Sequence, residues 1–364
     1  MKINIITTGR FHLLDLAREL SKQGHDVKFY TYVTPRRCRF YGLDKNIVNS
    51  YLWFAAPFLF LGKIFPKSDL VKKITICAID RYVSLVMRDA DVCIGLGSIF
   101  NHTLTVAKSK KQTYILEWGS MHILDQLQMF AKTHSQWSIE RELWEYEMAD
   151  YISIPANHVK RTFENRGISN QKLIVNPYGV DLLQFFPTEY SGEFDLIAVG
   201  GWRQEKGCDL IIELCEKHPE ISFLHVGSLV NMDFPLLPNM KHVDSVDQKE
   251  LVKYYAKAKV FILPSRAEGL SLVQVQAIAC GLPIVFSKFT GGSTLMELME
   301  DKKWAIEMEN LTSDELYNCV IKALELANTQ TSNRNYIGDD INNFSWEEYG
   351  RRYNNNLKAI LKYE

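Results

Sequence analysis

The sequence has no paired cysteines. Its seven cysteines stand singly, with neither the close Cys–Cys spacing of a zinc site nor the density of a disulfide-held scaffold, which points to a reducing cytosol. Net charge is almost absent as well, at −1. There is no low-complexity segment. No apolar run is long enough to span a bilayer: the most apolar one, residues 51–65 (YLWFAAPFLFLGKIF), is short and broken by Pro57 and Gly62. The opening MKINIITTGRF reads as a strand and not as a signal peptide. The first glycine-containing loop does not have the dinucleotide pattern of glycines, which argues against a nicotinamide cofactor. The basic residues are dispersed and form no recognisable nucleic-acid module, so nucleic acid is not expected as a partner.

What is present is length, an ordinary apolar content and an uneven distribution of charge. A chain of 364 residues exceeds one usual core and implies two domains. Residues 1–175 carry 24 basic and 16 acidic side chains, and the remainder carries 18 and 27. The basic half could face an anionic membrane, a lipid diphosphate or nucleic acid, the last disfavoured by the dispersal of its basic residues. Lys63, Lys67, Lys72 and Lys73 lie in or close behind the apolar run 51–65, which leaves two readings. The run is either a buried part of the first domain, or residues 51–73 form an interfacial patch on anionic lipid.

Chemistry concentrates in residues 261–298, FILPSRAEGLSLVQVQAIACGLPIVFSKFTGGSTLMEL. An apolar strand at 260–263 ends at Pro264, a polar loop follows, and helical spacing runs from about Leu272 to Cys280. Gly281 and Pro283 stop the helix, and a second strand follows at 284–286. This is a parallel βαβ unit, whose first loop lies where open α/β sheets bind ligands. Gly269 lets a ligand approach the backbone, and the amides at Leu270, Ser271 and Leu272 open a helix, a favourable place for an anion. Glu268 can accept hydrogen bonds from hydroxyls but cannot hold a phosphate. A carboxylate for hydroxyls beside amides for phosphate suits a sugar joined to a nucleotide.

Two further openings have the same form. Near the start, a strand at 3–7, the loop Thr8-Gly9-Arg10-Phe11-His12 and an amphipathic helix stopped by Gly24 place Gly9 where it could meet a diphosphate; His12 reads as a structural loop residue. Later, a strand at 195–199 leads into Gly200-Gly201-Trp202-Arg203-Gln204-Glu205-Lys206-Gly207, glycines followed by Arg and Lys before a helix, which again suits a diphosphate. The strand at 223–226 ends in Gly227-Ser228, a place for the nucleotide base.

These residues resemble glycosyltransferase family 4, also described as glycosyltransferase group 1. In that family a Glu, seven residues and a second Glu precede Ala-x-Ala-x-Gly-x-Pro-x-Val; here Glu268 takes the first place, Gln276 replaces the second Glu, and residues 277–285 match the tail. Gly9-Arg10-Phe11-His12, Gly119-Ser120-Met121-His122, Lys206-Gly207, the segment 176–181 with Phe185, and Phe344-Ser345-Trp346-Glu347 resemble further family segments. Asp89-Ala90-Asp91 has the spacing of the metal pair in the other main glycosyltransferase fold, but it reads as a helix end and strand start.

The resemblance implies an α/β chain of GT-B architecture, two Rossmann-like domains with parallel sheets facing across a cleft. Residues 1–176 would be the acceptor-side domain, 177–345 the donor domain and 346–364 a helix crossing back to the first. It implies a retaining, metal-independent transfer of a sugar from a UDP- or GDP-linked donor to a hydroxyl on a glycan or lipid-linked acceptor, with no cofactor, in surface polysaccharide or glycolipid assembly. Lys206 and Arg203 would face the leaving diphosphate, Glu268 and His122 the sugar, and Gln276 the ribose. The enzyme would be cytoplasmic or peripheral on the cytoplasmic membrane face. The replaced Glu and the displaced Arg leave a non-catalytic nucleotide-sugar-binding subunit as the alternative; a sugar-nucleotide epimerase lacks its usual motifs here.

Overall fold

The computed structural model describes residues 1–129, 135–330 and 334–361. It divides into two compact units, one of Met1–Ile154, Lys160–Asn176 and Gly350–Glu364, the other of Pro155–Val159 and Pro177–Tyr349. The helix Trp346–Leu361 therefore contributes to both, and residues 362–364 of the expected terminal helix lie outside the described residues.

The first unit holds seven strands: β1 (Lys2–Ile6), β2 (Asp26–Thr31), β3 (Val48–Ser50), β4 (Val92–Leu96), β5 (Thr113–Glu117), β6 (Tyr151–Ile154) and β7 (Leu173–Val175). They lie in the order β3-β2-β1-β4-β5-β6-β7, every pair parallel. The second unit holds β8 (Phe194–Val199), β9 (Phe223–Val226), β10 (Met240–Val243), β11 (Ala258–Leu263), β12 (Ile284–Ser287) and β13 (Ala305–Met308). Their order, β10-β9-β8-β11-β12-β13, is also all parallel. Parallel sheets have helices on their faces, which is why the strands read as near-continuous apolar runs; Ile3, Ile5 and Ile6 in β1 and Val260, Phe261 and Ile262 in β11 are fully buried.

Both sheets start in the middle, build outward to one edge, and then return to build the other. In each, the strand order reverses at one place: between β1 and β4 in the first unit, and between β8 and β11 in the second. Loops leaving the carboxyl ends of such a pair diverge to opposite faces of the sheet and leave a crevice open between them. In the second unit those loops are 200–207 and 264–271, the two richest in sequence signals. The topology, more than any local motif, makes neighbours of residues some sixty positions apart.

Residues 51–65 are only in part buried. They form the first helix of a hairpin, Leu52–Ile64 followed by Asp69–Val86; Tyr51 and Ala55 are buried, but Trp53 is 91% exposed, and the core reading of this run is corrected to that extent. Asp89 and Asp91 take separate partners: Asp89 pairs with Lys110 at 2.8 Å, and Asp91 accepts from the Lys2 backbone N–H at 2.7 Å, fixing the entry to β1.

Candidate functional site

The site in the second unit is built by two loops tied to one another. After β8 the chain makes one short turn, Gln204–Lys206, and enters the helix Cys208–Lys217 through Gly207. Gly207 has φ +74°, and a Cβ there would sit 2.2 Å from the Pro264 carbonyl oxygen, so glycine is what lets the second loop lie against the first. Arg266 secures the contact. Its guanidinium donates to both carboxylate oxygens of Asp209 at 2.7 Å and to the Gln204 carbonyl at 2.6 Å. The Arg266 N–H and the Ser265 hydroxyl both reach the Glu205 carbonyl, at 2.8 and 2.9 Å. A bidentate Arg–carboxylate pair fixes orientation as well as distance.

Within this frame Lys206 and Glu268 form an ion pair, both side chains largely sheltered. Ser265 Oγ lies 3.2 Å from the same Oε1 of Glu268, its one proton shared between that oxygen and the Glu205 carbonyl. Both bonds fall on one oxygen, so Oε2 is available for a hydroxyl, and the Lys206 ammonium retains two of its three protons for another acceptor. The Glu268 backbone is held on both sides: its N–H donates to the Phe289 carbonyl at 2.8 Å, and its carbonyl accepts from His158 Nε2 at 2.9 Å. Arg203 is partly buried, and its Nε has no hydrogen-bond partner. The helix Leu272–Ala279 starts at Ser271 with no side chain capping it, leaving its first amides to an outside acceptor. Gly269, Leu270 and Ser271 are buried beneath this turn, and Leu272 stands 37% exposed at its rim.

The floor beside this loop is the close approach of β8 and β9. Gly227 has φ +155°, and a Cβ would lie 1.8 Å from the Gly200 carbonyl oxygen. That carbonyl accepts from His225 Nε2 at 2.8 Å, so a neutral His225 must accept at Nδ1, where His242 Nδ1 lies 2.9 Å away and supplies the proton. Burial pushes His225 down to about 4, keeping it neutral. On the same rim a Cβ at Gly201 would lie only 3.0 Å from Val230 Cγ2.

The structure thus groups Gly201, Arg203, Lys206, Gly227, Glu268, Gly269, Leu270, Ser271 and Leu272 at the carboxyl ends of neighbouring strands. The residues that lock the loops (Ser265, Arg266, Asp209 and His158) were not anticipated. Each is an ordinary loop or helix residue in sequence, and the separation of 57 positions from Asp209 to Arg266 conceals their pairing.

Gln276 is placed differently from the expectation. It is 5% exposed, and its Oε1 accepts from the buried Tyr255 hydroxyl at 3.1 Å, so the oxygen expected to receive the ribose hydroxyls is already engaged inside the unit. Gln276→Glu is expected to lower the thermal midpoint by the equivalent of about 1–3 kcal/mol, because a carboxylate at this depth gains only one hydroxyl donor. Calorimetry of the variant decides this; an unchanged midpoint with tighter nucleotide binding would restore the ribose role.

His122, expected at the donor sugar, is also buried. It is 2% exposed, with its ring 4.8 Å from Tyr146 and 5.1 Å from Phe163, and Nδ1 accepts the Leu124 N–H at 3.2 Å at the start of the helix Ile123–Met129. It acts as a helix cap in an aromatic cage. Burial lowers its pKa to about 4, with Asp125 opposing and Arg166 assisting. A histidine with a folded pKa below its unfolded value contributes stability above the unfolded pKa, near 6.5, and loses it as pH falls toward 4. The stability difference between wild type and His122→Phe should therefore shift in favour of the variant between pH 6.5 and 4, by a few kcal/mol at most. Denaturant titrations of both proteins across that window measure it, and a pH-independent difference would contradict it.

In the first unit, Gly9 lies between β1 and the helix Phe11–Lys22, with the Phe11 ring 3.0 Å from the position a Cβ would take. His12 Nε2 bonds Glu117 Oε2 at 2.8 Å, and Glu117 Oε1 accepts from the Tyr353 hydroxyl at 2.8 Å, a buried network that holds His12 in a structural role.

Residues 181–338 match the family model described as glycosyl transferases group 1. That segment is a group 1 glycosyl transferase domain. It contains both loops of the site. Among curated proteins the chain is similar to an uncharacterized glycosyltransferase of Methanocaldococcus jannaschii, 26% identical over 53% of this chain and 53% of that protein. It is also similar to sulfoquinovosyl transferase of Arabidopsis thaliana, 30% identical over 43% of this chain and 33% of that one. The chain thus spans about half, or less, of the length of these relatives. Among solved structures it superimposes on HepE of Anabaena in complex with UDP, with TM-score 0.67 at 15% identity, over 99% of this chain and 100% of the other. The likeness shows the fold of the whole chain, the GT-B form of two α/β units. Among the described residues, no helix is long and apolar enough to cross a membrane.

Proposed function

We propose that the chain is a retaining glycosyltransferase of the family 4 kind, which moves a sugar from a UDP- or GDP-linked donor to a hydroxyl of a glycan or lipid-linked acceptor. The observation that carries this reading is the placement of Lys206, Arg203 and Glu268 together at the strand-order reversal of the second unit, beside an uncapped helix start. The nucleotide itself is suggested by the relatives: HepE of Anabaena has been solved with UDP and with UDP-glucose.

The chemistry follows from these groups. Cleaving the bond between sugar and diphosphate places growing negative charge on the leaving phosphate. The Lys206 ammonium, the Arg203 guanidinium and the amides from Leu270 to Leu272 are donors gathered at the carboxyl ends of β8 and β11, and they stabilise that charge. Glu268 accepts sugar hydroxyls at Oε2, while Lys206 and Ser265 hold its other oxygen. The leaving phosphate, on the same face as the incoming hydroxyl, takes the acceptor's proton. Nucleotide sugars are cytosolic, so the enzyme works in the cytoplasm or on its membrane face, and surface polysaccharide or glycolipid assembly is the pathway class that fits.

The test is a panel of nucleotide sugars incubated with purified protein, reading nucleoside diphosphate release and the anomeric configuration of the product by NMR. Release from one donor with retained configuration is expected. Inverted product would overturn the retaining assignment, and tight donor binding without release or transfer would favour the binding-subunit reading.

A further inference from the structure

The helical hairpin of the first unit carries more apolar surface than its packing uses. The helix Leu52–Ile64 is apolar almost all round, the pattern of a buried helix. Only one face is covered: Ala55 is fully buried, and Phe54 stacks on Tyr82 of the helix Asp69–Val86 with ring centroids 4.2 Å apart. The opposite face repeats at helical spacing as Trp53, Phe60, Leu61 and Ile64, exposed by 91, 63, 41 and 50%. The turn adds Phe65 at 53%, and the second helix continues with Leu70 and Ile74 at 66 and 48%.

Charge decides what this face fits. Between residues 52 and 76 the charged residues are Lys63, Lys67, Lys72, Lys73 and a single acid, Asp69. Lys63, Lys67 and Lys72 are exposed beside the apolar stripe. The stripe on the second helix runs through Ile74 and Cys77 to Arg81, and there it meets a hollow of about 370 Å³ whose lining includes Arg81, His102, Arg141 and Trp144 and also Asp80, which lies 3.6 Å from the Arg141 guanidinium. An apolar ridge with an exposed tryptophan, edged by lysines, matches the acyl boundary and the headgroup layer of an anionic bilayer. The helix Leu52–Ile64, about 20 Å long at 1.5 Å per residue, is too short to span and suited to lie in the interface.

We infer that the hairpin Leu52–Ile64/Asp69–Val86 docks the protein on an anionic lipid surface. The inference stands apart from the donor site and would hold for an active or an inactive chain.

The full-length protein is sedimented with vesicles of phosphatidylcholine alone and of phosphatidylcholine mixed with phosphatidylglycerol. Binding to the mixed vesicles, weakened by salt, is expected. Phe60→Ser with Phe65→Ser, and separately Lys63→Glu with Lys67→Glu, should each weaken it at least about tenfold while leaving circular dichroism unchanged. A blue shift of tryptophan emission on mixed vesicles should shrink in Trp53→Phe. Failure to sediment with mixed vesicles, or equal sedimentation of all variants, overturns the proposal. So does a self-associated species in analytical ultracentrifugation that the Phe60/Phe65 substitutions dissolve, which would assign the face to a second copy of the chain.

Discussion

Lys206→Ala is expected to lower turnover about a hundredfold, and by no less than tenfold, in the range seen when one preorganised charge-stabilising donor is removed. Two losses combine in this variant. The leaving diphosphate loses a cation where charge grows during cleavage, and Glu268 loses the partner that fixes its Oε1. Glu268→Gln should separate them. It leaves Lys206 in place but replaces the carboxylate that reads the sugar, so kcat falls while affinity for free nucleoside diphosphate changes little. Because the two side chains touch, the double variant should cost less than the sum of the single ones. Steady-state kinetics of the three proteins measures this. A folded Lys206→Ala with normal turnover at saturating donor removes Lys206 from the mechanism.

Gly227→Ala should have the largest effect on stability. Its φ of +155° is a region open essentially to glycine alone, and the added methyl would meet the Gly200 carbonyl oxygen at 1.8 Å. Relief requires β8 and β9 to separate where Gly200 O receives its bond from His225. A cost of about 3 kcal/mol or more is expected, or roughly 6–12 °C in the unfolding midpoint of a unit this size. Gly192 supplies the control: it also has positive φ, at +80°, but nothing lies within 4 Å of its Cβ position. Gly192→Ala carries the backbone strain without the collision and should cost about 1 kcal/mol. Equal midpoints for the two variants would contradict the close-approach account of Gly227.

The parts of this fold that were legible in the sequence are those where one strand, one loop and one helix follow each other. The β11 loop with Glu268, Gly269 and the helix start is local in this sense, and so is the β8 loop with Lys206-Gly207. The pairing between them was not legible, because Arg266 and Asp209 are joined by strand order and not by spacing. Histidine and glutamine misled for a related reason. Both are polar and sit inside motif-like segments, yet His122 spends its Nδ1 on a helix-start amide and Gln276 its Oε1 on Tyr255. Burial decides such cases, and a single sequence carries burial only as periodicity. The apolar run 51–65 has no helical period because it is apolar throughout, and for that reason it could not reveal which of its faces the hairpin would leave uncovered.

The central claim is that loops 200–207 and 264–272 hold a nucleoside diphosphate. Isothermal titration of the intact protein with UDP and with GDP tests it most directly, without an acceptor and without turnover. One of the two should bind at a single site with a dissociation constant on the order of micromolar, and Arg203→Ala and Lys206→Ala should each weaken it about tenfold or more. If neither nucleotide binds, or if one binds and both variants bind it as wild type does, these loops are not the donor site.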